Sequence, residues 1–179
     1  MKDYEFTLIF SLLDQNDDPS NYIEALGAAG CTDATIGIGV NGRIALSFCR
    51  EAKDAREAIS SAIKDVLSAI PNAVLSEAAP DFVGLTDIAE RVGFSRQNMR
   101  KLMEQGGMNF PAPLHQGKTS IWHLANVLTW LRDVKHYAID TRLLELAAVN
   151  MQCNLHRSLN EADSRYQREI TGWLEKPWL

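Results

Sequence analysis

The chain has 179 residues, 46% of them hydrophobic, 23% charged and 8% aromatic, and 18 Lys+Arg against 23 Asp+Glu set its formal charge at −5. That hydrophobic content excludes a disordered chain, and no window approaches the roughly 18 apolar residues of a membrane span, so a cytoplasmic protein with no membrane association is expected. Cys31, Cys49 and Cys153 are odd in number and form no CxxC pair, which points to neither a disulfide framework nor a structural zinc site.

Phe6, Leu8, Phe10 and Leu12 alternate with the period of a strand that buries one face. Asp18-Pro19 predicts a helix cap followed by proline at the first helical position, with Tyr22, Ile23 and Leu26 as its apolar stripe and Gly30 as its stop. Ala34–Val40 and Arg43–Cys49 alternate on either side of Asn41-Gly42. That dipeptide tolerates the two positive φ angles of a type I′ turn, and a hairpin is expected. Ala55, Ile59, Ala62, Ile63, Val66, Leu67 and Ile70 then recur at helical spacing until Pro71-Asn72 breaks the pattern, and residues 73–77 read as a last strand. The order β-α-β-β-α-β is the split pattern of ferredoxin-like folds, so the expected class is α+β.

Residues 78–82, with Pro80, read as a linker, and the charge changes across them. Residues 1–79 hold 6 Lys+Arg against 12 Asp+Glu, or −6; residues 80–138 hold 7 against 5, or +2; residues 139–179 hold 5 against 6, or −1. Three regions are expected: an acidic ferredoxin-like sensor or interaction domain (1–79), a basic DNA-binding domain (80–138), and a helical dimerisation or docking region (139–179).

Residues 85–102 carry the functional signal and read as a helix-turn-helix. Thr86 is placed to cap a first helix, Ala89 is small where two helices cross, Gly93 supplies the turn, Phe94 anchors it, and Ser95 caps a second helix. Ile88, Val92, Met99 and Leu102 complete the buried seam. The outer face of the second helix carries Arg96, Gln97, Asn98, Arg100 and Lys101. Arginine, glutamine and asparagine make bidentate hydrogen bonds to guanine or adenine edges, and cations neutralise phosphates. Arg96, Gln97, Asn98 and Arg100 are therefore the candidates for base readout, with Ser95, Lys101 and Arg91 on the DNA backbone. Glu90 and Glu104 dilute the patch, yet Arg91, Arg96, Arg100, Lys101 and Lys118 against Glu104 leave +4 over residues 91–118.

This helix-turn-helix, followed by Phe110-Pro111-Ala112-Pro113, the polar turn Leu114–Ser120, Ile121-Trp122 and Val127-Leu128-Thr129-Trp130-Leu131, resembles MerR-like winged helix-turn-helix domains, in particular the AlpA and excisionase branch. The resemblance covers about residues 83–132. It implies a proline-bearing strand, a glycine turn forming a wing, a returning aromatic strand and a closing helix. Carried over, Gly117 and Lys118 sit at the wing tip with His115 beside them, where a cation meets the phosphate backbone or minor groove. Family members often place arginine in this turn, whereas here Lys118 is its one charged residue.

Leu144, Met151, Leu155, Leu159, Tyr166, Ile170 and Trp173 recur every three or four residues in the C-terminal region, predicting one amphipathic helix, or two joined near residues 150–154. MerR-like proteins commonly dimerise through such a helix, and a homodimer is expected. The apolar terminus Trp173–Leu179 is expected to dock rather than fray.

His115, His123, His136 and His156 show no metal spacing, and Gly37-Ile38-Gly39 lies in a predicted strand with no helix after it. No enzyme, cofactor or metal site is expected, and His123 reads as an ordinary surface or cap residue. The expected function is sequence-specific binding of double-stranded DNA, as a bacterial or phage transcriptional regulator on a palindromic operator. The alternative is an adaptor or antitoxin-like protein whose acidic residues 1–79 hold a protein partner; a small-molecule effector would bind in the same region.

Overall fold

The computed structural model describes residues 1–174, and among them it is a mixed α+β structure with a four-stranded antiparallel sheet and seven α-helices. Strands β1 (Lys2–Ser11), β2 (Ala34–Gly37), β3 (Arg43–Ala52) and β4 (Val74–Ala79) lie in the order β2-β3-β1-β4. The register sets Phe6, Leu8 and Phe10 opposite Phe48, Leu46 and Ile44, all buried on one face. Helices α1 (Ile23–Ala28) and α2 (Ala55–Ala69) cover that face, where Leu26, Ile59 and Val66 complete the core. Full burial of each large side chain contributes about 1.5–3 kcal/mol.

One charge lies within this apolar layer. Arg50 donates to Asp33 at 2.7 and 2.9 Å, to Asp65 at 2.7 Å and to the carbonyl of Gly30 at 3.3 Å, so its burial is matched by two carboxylates. Its hydrogen bonds to the Asp33 carboxylate raise its pKa above the ordinary arginine value. The opposite face of the sheet carries Asp3, Glu5, Thr7 and Ile9, with Asp3 directly across from Glu51.

Several local expectations change. The Asn41-Gly42 connection is not a two-residue turn: pairing of β2 with β3 ends at Gly37–Ala45, and Gly42 but not Asn41 has positive φ. Gly42 is drawn aside because its N–H donates to the Asp17 carbonyl and its carbonyl accepts from the Leu12 N–H, which widens the loop. The helix expected after Asp18-Pro19 splits into a 3-10 turn (Pro19–Tyr22) and α1, with Asp18 accepting from the Ser20 N–H. Helix α2 begins at Ala55 because Asp54 caps it by accepting from the Glu57 N–H.

The second unit holds β5 (Phe82–Val83), α3 (Leu85–Val92), α4 (Arg96–Gly106), β6 (Trp122–His123) and α5 (Leu124–Asp133). The expected linker is largely strand, since β4 runs to Ala79 and β5 pairs with β6. The expected proline-bearing strand over residues 110–113 does not form, because prolines at 111 and 113 offer no N–H to a ladder. Phe110 instead sits edge-on between Trp122 and Trp130, with ring centroids 5.9 and 4.9 Å away, and Trp122 Nε1 donates to the Pro111 carbonyl at 2.9 Å.

The C-terminal region is two helices, α6 (Thr141–Glu161) and α7 (Ser164–Leu174), broken at Ala162-Asp163 and not near residue 150. Asn150 and Asn154, whose polarity reads as a break, are buried inside α6 and reach across to residues 78–81. Asn154 accepts from the Ala78 N–H at 2.8 Å and donates to the Ala78 carbonyl at 2.9 Å and to Asp81 Oδ2 at 2.8 Å, while Asn150 donates to the Pro80 carbonyl at 3.2 Å. Helix α6 thereby serves both units: Leu146 enters the sheet's core and Ala147 enters the second core.

Candidate nucleic-acid interface

Helix α3 stops because Gly93 takes the left-handed conformation, φ +72°, and returns its N–H to the end of the helix. Any side chain there would be strained. Phe94 follows, its N–H bonded to the Ala89 carbonyl at 2.8 Å and its ring 5.0 Å from that of Tyr137. Ser95 then caps α4, its hydroxyl accepting from the Asn98 N–H at 3.1 Å. Ile88 and Ala89 meet Met99 and Leu102 in the buried seam, as the spacing predicts. Thr86 does not cap α3. Gly84 holds that position, and the carboxylate of Asp87 accepts its N–H at 2.8 Å, leaving Thr86 exposed in the first turn.

Side chains on α4 follow one another by about 100°. With Met99 and Leu102 inward, Gln97, Lys101 and Glu104 occupy the outermost line, while Arg96 and Arg100 share one flank and Asn98 the other. A shallow concavity gathers Arg96, Gln97, Arg100, Lys101 and Glu104. A second groove is lined by Arg96, Arg100 and Glu104, by Thr86 and Asp87 from α3, and by Lys118 and Thr119 from the segment after Pro113. That segment is a hairpin: the Leu114 N–H donates to the Ile121 carbonyl at 2.8 Å, and the Ile121 N–H to the His115 carbonyl at 3.0 Å. Its turn presents Gly117 and Lys118 to solvent, with the exposed His115 ring folded against Gly117.

The charges on α4 run against the helix's own field. Its first turn carries no acid and its last turn no base, with Arg96 at the positive end and Glu104 near the negative end. Arg100 Nε donates to Glu104 Oε1 at 2.9 Å. That pair supports the helix only modestly and the order of charges opposes the dipole, but a row of cations beside the cation of the hairpin suits an anionic surface.

Two expected members lie apart. Arg91, in the last turn of α3, faces a cleft with Asp3, Glu5 and Asp140 of its own chain, away from α4. Asn98 is outside both concavities. Leu144 and Met151, expected in a dimer seam, pack against the second core of their own chain. Leu155, Leu159, Tyr166, Ile170 and Trp173 remain exposed, between 40% and 72%. Trp173 and Leu174 are exposed as well, and the rest of the apolar terminus, residues 175–179, lies outside the described residues.

Sequence reasoning missed the buried role of His123. It stands at the cap position of α5, shares a 2.7 Å hydrogen bond between its Nδ1 and Asp81 Oδ1, and lies against Phe82 with the rings tilted and their centroids 5.6 Å apart. Asp81 thus joins His123 to Asn154 in one buried chain. Nothing local signals this, since His123 and Asn154 are 42 and 73 positions away from Asp81. Burial pushes the Cys31 thiol up to about 11 and raises that of Cys153. Among the described residues no group of three or more His, Cys, Asp or Glu is placed to hold a metal ion, and no helix is long and apolar enough to cross a membrane. Comparison with protein-family models, with curated proteins and with solved structures finds no match to the chain.

Proposed function

We propose that the protein binds double-stranded DNA sequence-specifically and acts as a transcriptional regulator of bacterial or phage type. The observation that carries this reading is that Arg96 and Arg100 of α4 line one groove with Lys118 of the hairpin, the charges of α4 being ordered against the helix dipole. In this reading α4 is a recognition helix in the major groove, with Arg96 and Gln97 in its first turn nearest the bases. The hairpin is the wing of a winged helix-turn-helix of MerR-like type, and Lys118 meets the phosphate backbone. The acidic first unit, with its strand order β2-β3-β1-β4, fits a ferredoxin-like sensor domain.

The exposed stripe Leu155, Leu159, Tyr166, Ile170 and Trp173 serves a homodimer, and a two-fold protein reads an inverted repeat. Contacts from Lys101 and Lys118 to two phosphates give a log–log salt slope of about −1.8 per subunit.

Selection of bound sites from random duplexes tests this reading. Enrichment of an inverted repeat is expected, and the double variant Arg96→Ala, Gln97→Ala should lose the preference while staying folded. The alternative, an adaptor holding a basic protein partner, is favoured by one observation: Asp3 and Glu51 face each other across β1 and β3, a like-charge pair that Arg91 and Arg142 offset on the Asp3 side only and that a basic partner would relieve. Failure to enrich any site would leave that reading standing.

A further inference from the structure

Glu104 is the one acidic side chain of α4, and its exposed pair with Arg100, four residues earlier, gives the helix only a few tenths of a kcal/mol. A carboxylate in the last turn meets the negative end of the dipole. It also follows Arg100 instead of preceding it, which is the weaker order for a pair four residues apart. Affinity for DNA does not explain it either, because a carboxylate among phosphate-facing cations is repelled by the polyanion. Yet Glu104 lines both concavities together with Arg96 and Arg100.

We propose that Glu104 is a specificity-determining residue, accepting a hydrogen bond from the N4 amine of a cytosine in the major groove and aiming Arg100 at a guanine beside it. This rests on the DNA-binding reading above. The major-groove donors are cytosine N4 and adenine N6, and adenine sets its N7 acceptor next to that donor, which turns a carboxylate away. Cytosine has no such acceptor. The geometry of the pair leaves the needed atoms free. Arg100 uses Nε on Glu104 Oε1, so its two terminal nitrogens remain for O6 and N7 of guanine, and Glu104 Oε2 remains for cytosine. Four residues of helix rise about 6 Å, under two base-pair steps of about 3.4 Å, so both side chains reach neighbouring pairs.

The test is site selection with the full-length protein and its E104Q, E104A and R100A variants, followed by affinity measurement on the selected duplex and on single-base changes of it. The wild type should enrich a C·G pair at one position. E104Q should keep the rest of the site and lose about 10-fold discrimination at that pair, with binding to unrelated duplex undiminished. In the R100A background, adding E104A should raise affinity, because an unpaired carboxylate then faces the phosphates. A site unchanged in E104Q, with every duplex bound more tightly by one common factor, would overturn the inference, as would a wild-type site with no C·G preference. A wild type that enriches no site at all would remove the DNA-binding reading itself, and this inference with it.

Discussion

Replacing Asn154 with alanine removes three hydrogen bonds at one point, the junction between the two units. Its amide satisfies both the N–H and the carbonyl of Ala78 and one oxygen of Asp81, all of them buried. Each group left without a partner costs about 1–3 kcal/mol. A water entering the vacated space recovers part of that loss. The sum is then about 3–4 kcal/mol, a large share of the roughly 5–15 kcal/mol typical of a folded protein. Asn154→Asp sharpens the argument. The shape is kept, but the two donated bonds are lost and a carboxylate is set against the Ala78 carbonyl and Asp81, so aspartate should destabilise more than alanine at neutral pH. Urea unfolding followed by tryptophan fluorescence, which reports chiefly Trp122 and Trp130 in the second core, and by far-UV circular dichroism measures both variants. Both signals should shift together, because α6 belongs to both cores. An alanine variant within about 1 kcal/mol of the wild type at an unchanged m-value, or an aspartate variant as stable as the wild type, would refute the reasoning.

Three further outcomes are expected. Gly106→Ala adds a Cβ 2.9 Å from Trp130 Cζ2 and 3.1 Å from Phe110 Cβ; overpacking of about 1–3 kcal/mol should outweigh the gain of up to ~1 kcal/mol in helix propensity, and a raised melting temperature would contradict this. Lys118→Ala should weaken binding to all duplexes about equally and flatten the salt slope by about one unit, whereas a changed base preference would show that Lys118 reads bases. With a thiol reagent at pH 8, exposed Cys49 should label first and Cys31 last. Burial pushes Cys31 to about 11 from its ordinary 9.0, making its thiolate about 100-fold scarcer on top of its inaccessibility. Equal labelling of Cys31 and Cys49 in the folded protein would contradict the packing.

What the sequence makes legible is what short-range physics decides. The turn between α3 and α4 is readable because Gly93, Phe94 and Ser95 each answer a local need: a left-handed residue, an anchor and a cap. The β1 face is readable because strand alternation survives in the packed sheet, from Phe6 to Phe10. The Asn41-Gly42 turn misleads because Gly42 is bonded to Leu12 and Asp17, a competing demand from far along the chain. Asn150 and Asn154 mislead for the same reason, since their partners are the backbone of residues 78–80. In the candidate site, residue type reveals Arg96, Gln97 and Arg100. It does not reveal that Arg91, equally basic and only five residues earlier, leaves α3 on the side facing Asp3 and Glu5.

Helix α6 has a consequence for how the molecule can be divided. A fragment ending at His136 would lose Leu146 from the sheet's core and Ala147 from the other, together with the amides that hold residues 78–81. Neither unit keeps its whole core without α6, so the boundary near residue 80, where charge and hydrophobic period both change, is no place to cut. Helix α6 acts instead as a common axle. A turn of it by even one side-chain position would disturb both its packing on β4 and α2 and its packing on α5.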